Sequence, residues 1–269
     1  VKENTDILED IIPLFGCPDR FIEIGALLAA HSNLPGPRGN LTLAYAFADR
    51  FANETVSREL LELLARWVHI TPDEAPANSP REYLPFCGIL AFGAHYHYTG
   101  DGTKALIMEQ FKTAMNDKRW RMREGAAMGF QRIAEKDFNT VKRYFTMWYP
   151  ESTFLEKRAF IAALAHPPIL GDPEVVRFSL VMSEDILHDI MLISGENRRA
   201  EDFKALSKGL QYALSVFAAA LPDEGFAWLR RYAQTDDPEI RKIVKANLGK
   251  ARLAKKYPRM VEDISMLME

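Results

Sequence analysis

A chain of 269 residues that is 48% hydrophobic and 26% charged can bury a sizeable core and has the composition of a globular protein. No run approaches the roughly 20 apolar residues of a membrane helix, which argues against a membrane partner. The formal net charge of −3 argues against a general nucleic-acid binder, because duplex binding rewards a basic surface.

The first ten residues, VKENTDILED, lack the apolar stretch of a signal peptide, so the expected location is cytoplasmic; a Val start suggests trimming. Over 5–15, Ile7, Leu8, Ile11, Ile12 and Leu14 share a helical face that Pro13 and Gly16 close, as in an end cap. Asp19 is placed to cap a second helix to about His31, and Asn40 a third to about Phe51. The loop between them, 32–39, carries Arg38, which reads either as an anion contact at the third helix or as part of a stiff turn. A helix over 55–69 precedes TPDEAPANSP at 71–80, which reads as a long loop or, alternatively, a domain boundary; helical periodicity on both sides favours one continuous domain over 1–269.

Residues 81–98 end in His95-Tyr96-His97-Tyr98. Two histidines two apart diverge by about 200 degrees on a helix, so aromatic packing explains them better than zinc, and no metal site is expected. Cys17 and Cys87 read as reduced thiols. A helix over 103–115 and the stretch 117–136 form an αα-hairpin. Helices over 138–148 and 154–165 stop at Pro150 and Pro167-Pro168. The next begins after Asp172-Pro173 and is expected to break near Ser183. Residues 200–221 form a long helix, expected to be buried, with Leu206, Leu210, Leu214 and Phe217 along one side. Helices over 224–234 and from Pro238 complete an all-α chain.

Charge is segregated along this chain. Lys118 to Arg158 holds ten bases against five acids, and Arg230 to Arg259 ten against three, whereas Gly171 to Asp202 holds eight acids against three bases. Folding of such a chain can focus a basic field on one surface, or the charges simply solvate helix faces.

An internal repeat lies inside the basic regions. Shifting 117–136 by 118 residues aligns Met122 with Ile240, Arg123 with Arg241, Ala126 with Val244, Phe130 with Leu248 and Ile133 with Ala251. A weaker copy lies at Glu156-Lys157-Arg158 with Ile161. The offset divides into three units of about 39 residues, a period used by helical-hairpin repeats. DKRWRMREGAAMGF and DDPEIRKIVKANL resemble the second helix of HEAT and armadillo-type repeats. That resemblance implies a right-handed α-α superhelix, or solenoid, of stacked hairpins, with Arg123 and Arg241 in internal Asp–Arg ladders. It also implies a binding or scaffold role, in which a curved surface bearing Arg119, Trp120, Arg121, Arg132, Lys142 and Arg143 grips an acidic protein surface or nucleic acid. Arg241, Lys245, Arg252 and Lys256 add a basic stripe that reads either as a phosphate track or as a solvated terminal face.

Trp120 and Glu124, one turn apart, resemble the tryptophan and acid of HEAT-like bacterial DNA-alkylation repair glycosylases, although an Asp is usual there. The resemblance implies a catalytic alternative. The ring would contact a cationic alkylated base, and the carboxylate would stabilise positive charge as the glycosidic bond breaks. It requires that Trp120 and Glu124 are not both enclosed by helix packing. No P-loop, dinucleotide fingerprint or nucleophile elbow is present, and no cofactor is expected.

Overall fold

Apolar residues recurring every three to four positions, separated by caps and prolines, commit this chain to helices. A computed structural model describes residues 4–268, and over these the backbone forms fifteen α-helices and short 3-10 turns, with no β-strand. The helices fall into two compact units, Val1–Lys136 and Asp137–Glu269.

The first unit holds α1 (Asn4–Ile11), α2 (Phe21–Ala30), α3 (Leu41–Asp49), α4 (Arg58–Val68), α5 (Tyr83–His95), α6 (Asp101–Met115) and α7 (Trp120–Lys136). After α1 the chain tightens into a 3-10 turn at Ile12–Gly16, because Pro13 has no amide to continue the α-ladder. Asn40 caps α3 as expected, its side chain accepting from the Leu43 amide at 3.1 Å. Asp19 caps nothing: a 3-10 turn, Pro18–Arg20, leads into α2 instead.

The sequence of α5, YLPFCGILAFGAH, has no lysine, arginine, aspartate or glutamate, and all of it is buried. Helices α2, α3, α4, α6 and α7 pack around it. Its crossing with α7 depends on glycine. A Cβ on Gly93 would stand 2.8 Å from Gly129 Cα and O, and one on Gly129 would stand 2.3 Å from Phe111 Cε1. Phe111 thereby packs against Phe130 with tilted rings, centroids 4.5 Å apart. The two histidines near this crossing are latches. His95 Nδ1 bonds the Phe51 carbonyl and His97 Nε2 the Ile133 carbonyl, each at 3.0 Å.

The second unit holds α8 (Phe138–Trp148), α9 (Phe154–Leu164), α10 (Pro173–Leu192), α11 (Glu201–Ala220), α12 (Pro222–Ala233), α13 (Pro238–Leu248), α14 (Ala251–Ala254) and α15 (Pro258–Met266). Helix α10 runs unbroken through Ser183. The Ser183 and Ser179 hydroxyls donate to the Ser179 and Val175 carbonyls one turn back, which satisfies both inside the helix. Helix α11 touches α9, α10, α12, α13 and α14 and buries Phe203, Leu206, Leu210, Leu214 and Phe217. It is enclosed all round over Ala213, Leu214, Ser215, Val216, Phe217 and Ala218, while Tyr212 just before them is exposed. Asn247, fully buried on α13, ties the two helices together. Its Nδ2 donates to the Leu210 and Ile243 carbonyls and its Oδ1 accepts the Ser215 amide, all at 2.8 Å.

Of the five aligned repeat pairs, three are buried in both copies and the Arg123/Arg241 pair is half-buried in both. Met122, Ala126 and Phe130 are buried on α7, and Ile240, Val244 and Leu248 on α13. The fifth pair separates, because α13 ends at Leu248 and Ala251 is exposed, while Ile133 is buried. Both helices also start from an Arg–Asp pair that reaches the end of an earlier helix. Arg119 donates to Asp117 (2.6 and 2.9 Å) and to the Ile70 carbonyl (2.8 Å). Arg198 donates to Asp237 (2.6 and 3.0 Å) and to the Ile190 carbonyl (2.6 Å).

Candidate functional site

Cations that must work on a partner have to be held without being neutralised, so the fate of each basic side chain is the first question. Arg119 and Arg121, expected on an outward basic turn, are only 2% and 5% exposed. Both are occupied with the loop at 71–82. Arg119 binds the Ile70 and Ala75 carbonyls besides Asp117. Arg121 pairs with the fully buried Glu82 at 2.9 Å and donates to the Gly36 carbonyl at 2.8 Å. Residues 71–80 are therefore a loop within the first unit, pinned to the start of α7. Arg123 also turns inward, its Nη1 donating to the Asp117 and Lys118 carbonyls. Arg241 likewise donates to the Ala233 and Met268 carbonyls.

Trp120 stands between these two buried arginines and is 48% exposed. The Arg121 guanidinium lies 4.5 Å from the centre of its ring, and with Pro35, Gly36, Pro37 and Asn78 they line an open depression of about 580 Å³. Glu124, one turn along α7, is half-buried. Its charge reaches Tyr45 on α3, whose hydroxyl is pushed above its ordinary range mainly by burial, with Arg132 opposing and Glu135, Glu124 and Asp49 adding to the rise. Arg132 is ion-paired to Asp49 and lies 5.7 Å from the Tyr45 ring. Glu124, Glu135, Arg132, Asp49 and Tyr45 thus form a mixed-charge group where α7 meets α3.

In the second unit Lys157, Arg177, Arg198, Arg230 and Arg231 are also ion-paired, but other cations are disposed differently. Lys142 and Arg143 are exposed on α8, over the rings of Phe178 (5.6 Å) and Tyr144 (5.3 Å). Lys245 is exposed on α13, where it lines a groove of about 650 Å³ with Arg241, Lys242, Leu248, Ala254, Val261 and other residues, none of them acidic. Arg252, on α14, donates to the Tyr212 hydroxyl at 2.8 Å and the Ser215 hydroxyl at 3.2 Å, and its guanidinium lies 4.4 Å from the Tyr212 ring centre. Lys250 approaches the same ring at 5.9 Å. Among the described residues, Lys142, Arg143, Lys245, Lys250 and Arg252 make no ion pair with a carboxylate.

Tyr212 was invisible to the periodicity because it lies between the apolar rows of α11, and only the fold brings α14 to it. A second groove, of about 1010 Å³, lined by Phe21, Ile22, Leu63, Trp67 and Leu84 with Arg66 and Arg81, was hidden for the opposite reason. Its apolar residues read as core. No group of three or more His, Cys, Asp or Glu among the described residues is placed to hold a metal ion. None of the helices is long and apolar enough to cross a membrane, again among the described residues. No family model matches the chain, and neither does any curated protein or solved structure.

Proposed function

We propose that this chain is a HEAT-like helical-repeat binding protein, a right-handed α-α superhelix, which holds an acidic macromolecular partner through cations of its second unit. The carrying observation is the contrast in pairing. Arg119, Arg121 and Arg132 each face a carboxylate, as do Lys157, Arg177, Arg198, Arg230 and Arg231 of the second unit, whereas among the described residues Lys142, Arg143, Lys245, Lys250 and Arg252 do not. An unpaired cation at the surface keeps counterions that a polyanion displaces, and the entropy of that release drives binding. The buried match of α7 and α13 and their shared Arg–Asp starts support the repeat reading.

The test is a salt series of binding to fluorescent heparin. Affinity is expected to fall steeply with salt, and Lys245→Ala with Arg252→Ala to weaken binding and flatten the salt slope. Arg132→Ala, whose charge is already paired, serves as the comparison. No binding by the wild-type chain at low salt removes the proposal.

One observation favours a second reading, a base-excising activity of the DNA-alkylation repair type centred on Trp120 and Glu124. Neither side chain is enclosed by helix packing: the ring is half in solvent and the carboxyl half-buried. Release of alkylated bases from duplex DNA, abolished in Glu124→Gln, is its measurement; no release by the wild-type protein ends it.

A further inference from the structure

We propose that Tyr212, Lys250 and Arg252 form a subsite for single-stranded nucleic acid, in which a base stacks on the tyrosine and the neighbouring phosphate is held by the two cations. The inference deepens the polyanion reading above and rests on it.

Three features of the cluster point to this ligand. The first is the ring itself. Tyr212 is 51% exposed although it belongs to the helix at the centre of its unit, and a guanidinium 4.4 Å from the ring centre on one side leaves aromatic surface open to solvent. An exposed aromatic face gains little from an acidic protein side chain and much from a nucleobase, since every base has a π-face to stack on it.

The second is the fixing of Arg252. Its Nη2 and Nη1 donate to the Tyr212 and Ser215 hydroxyls, so the guanidinium plane is held in place by neutral acceptors and keeps its full charge. Ser215 is held in turn, since its amide is bonded to the buried Asn247 and its hydroxyl donates to the Tyr212 carbonyl at 2.7 Å. The planar fork is therefore oriented before any ligand arrives, which lowers the entropy cost of binding a phosphate.

The third is the spacing of charge. Lys250, also unpaired, lies 5.9 Å from the same ring, so two positive groups flank one stacking surface. A duplex cannot use such a surface without unstacking a base, whereas a single strand presents its bases to it.

The experiment measures fluorescence anisotropy of the full chain with a labelled oligothymidine and, in parallel, with heparin, a polyanion that has no bases. Tyr212→Ala is expected to weaken oligothymidine binding about tenfold, the loss of one stacked base, and to leave heparin binding within about twofold. Tyr212→Phe keeps the ring but removes one of the two hydroxyls that hold Arg252, so it is expected to lie between the wild type and Tyr212→Ala for oligothymidine and to match Tyr212→Ala for heparin. Arg252→Ala is expected to weaken both. Because Tyr212 is exposed, an unchanged thermal melt identifies a folded Tyr212→Ala protein. An equal loss for both polymers, or no loss for oligothymidine, overturns the subsite and leaves a charge-only surface of the kind an acidic protein would use. Heparin binding without oligothymidine binding also overturns it while sparing the broader reading, and absence of both defeats the two together.

Discussion

Arg121 and Asn247 show how much a single polar side chain does when it is sealed away from water. The Arg121 guanidinium neutralises Glu82, which is fully buried, so Arg121→Ala strands a carboxylate and is expected to cost about 3–5 kcal/mol in urea denaturation. Replacing both partners by apolar residues of similar volume is expected to cost much less, and a double-mutant cycle reads the difference. Asn247→Leu removes the side-chain bonds to the Ser215 amide and to the Leu210 and Ile243 carbonyls together. The expected loss is about 2–4 kcal/mol, seen as a lower urea midpoint at unchanged slope. His95 makes stability depend on pH. Burial lowers its pKa from 6.5, outweighing the Phe51 and Asn53 carbonyls that favour the charged ring. The folded state holds the imidazole neutral while the unfolded chain takes up a proton, so this contribution is complete above about pH 6.5 and is lost as pH falls below it. Urea melts at pH 7.5 and 5.5 should show a smaller difference in His95→Gln than in the wild-type chain; an equal difference assigns the slope elsewhere.

At the scale of helices, α5 and α7 meet backbone to backbone at Gly93 and Gly129, and the Ile89 and Phe86 side chains of α5 lie over Gly125. Gly93→Ala drives a methyl group against Gly129 main-chain atoms, which no rotamer change relieves, and is expected to destabilise by about 1–3 kcal/mol. Gly102→Ala, in the first turn of α6 with nothing within 4 Å of the added carbon, is expected to stay within about 1 kcal/mol of neutral. Thermal melts of the two variants compare them directly. Elements of this kind were legible in the sequence where their causes are local. The Asn40 cap, the Pro238 start and the buried faces of α7 and α13 all follow from neighbours within a turn or two. The fate of the basic turn was not legible because, apart from Asp117 beside Arg119, its partners are remote in the chain. Arg121 meets Glu82 39 residues away and Gly36 85 residues away, and no local pattern announces either. Tyr212 and Arg252 are 40 residues apart for the same reason. Ala251 failed to follow Ile133 because Gly249 ends α13 before the next turn forms.

Taken over the whole molecule, a net charge of −3 describes an average of regions that differ in sign. The unpaired cations of the second unit predict retention on a cation exchanger at low salt and pH 7 despite the isoelectric point near 6.1. Lys245→Glu with Lys250→Glu is expected to abolish that retention; unchanged retention would show that these charges are not presented outward. The enclosed helix α5 has a different consequence, for the order in which the protein is made. Ribosomes deliver α5 before α6 and α7, the two helices that complete its cover. During that interval a thirteen-residue helix without a lysine, arginine or carboxylate has flanks with nothing to lie against. The moment of greatest exposure to aggregation therefore falls in mid-translation, and the speed of elongation through Lys136, more than final stability, governs how much of the nascent chain escapes it.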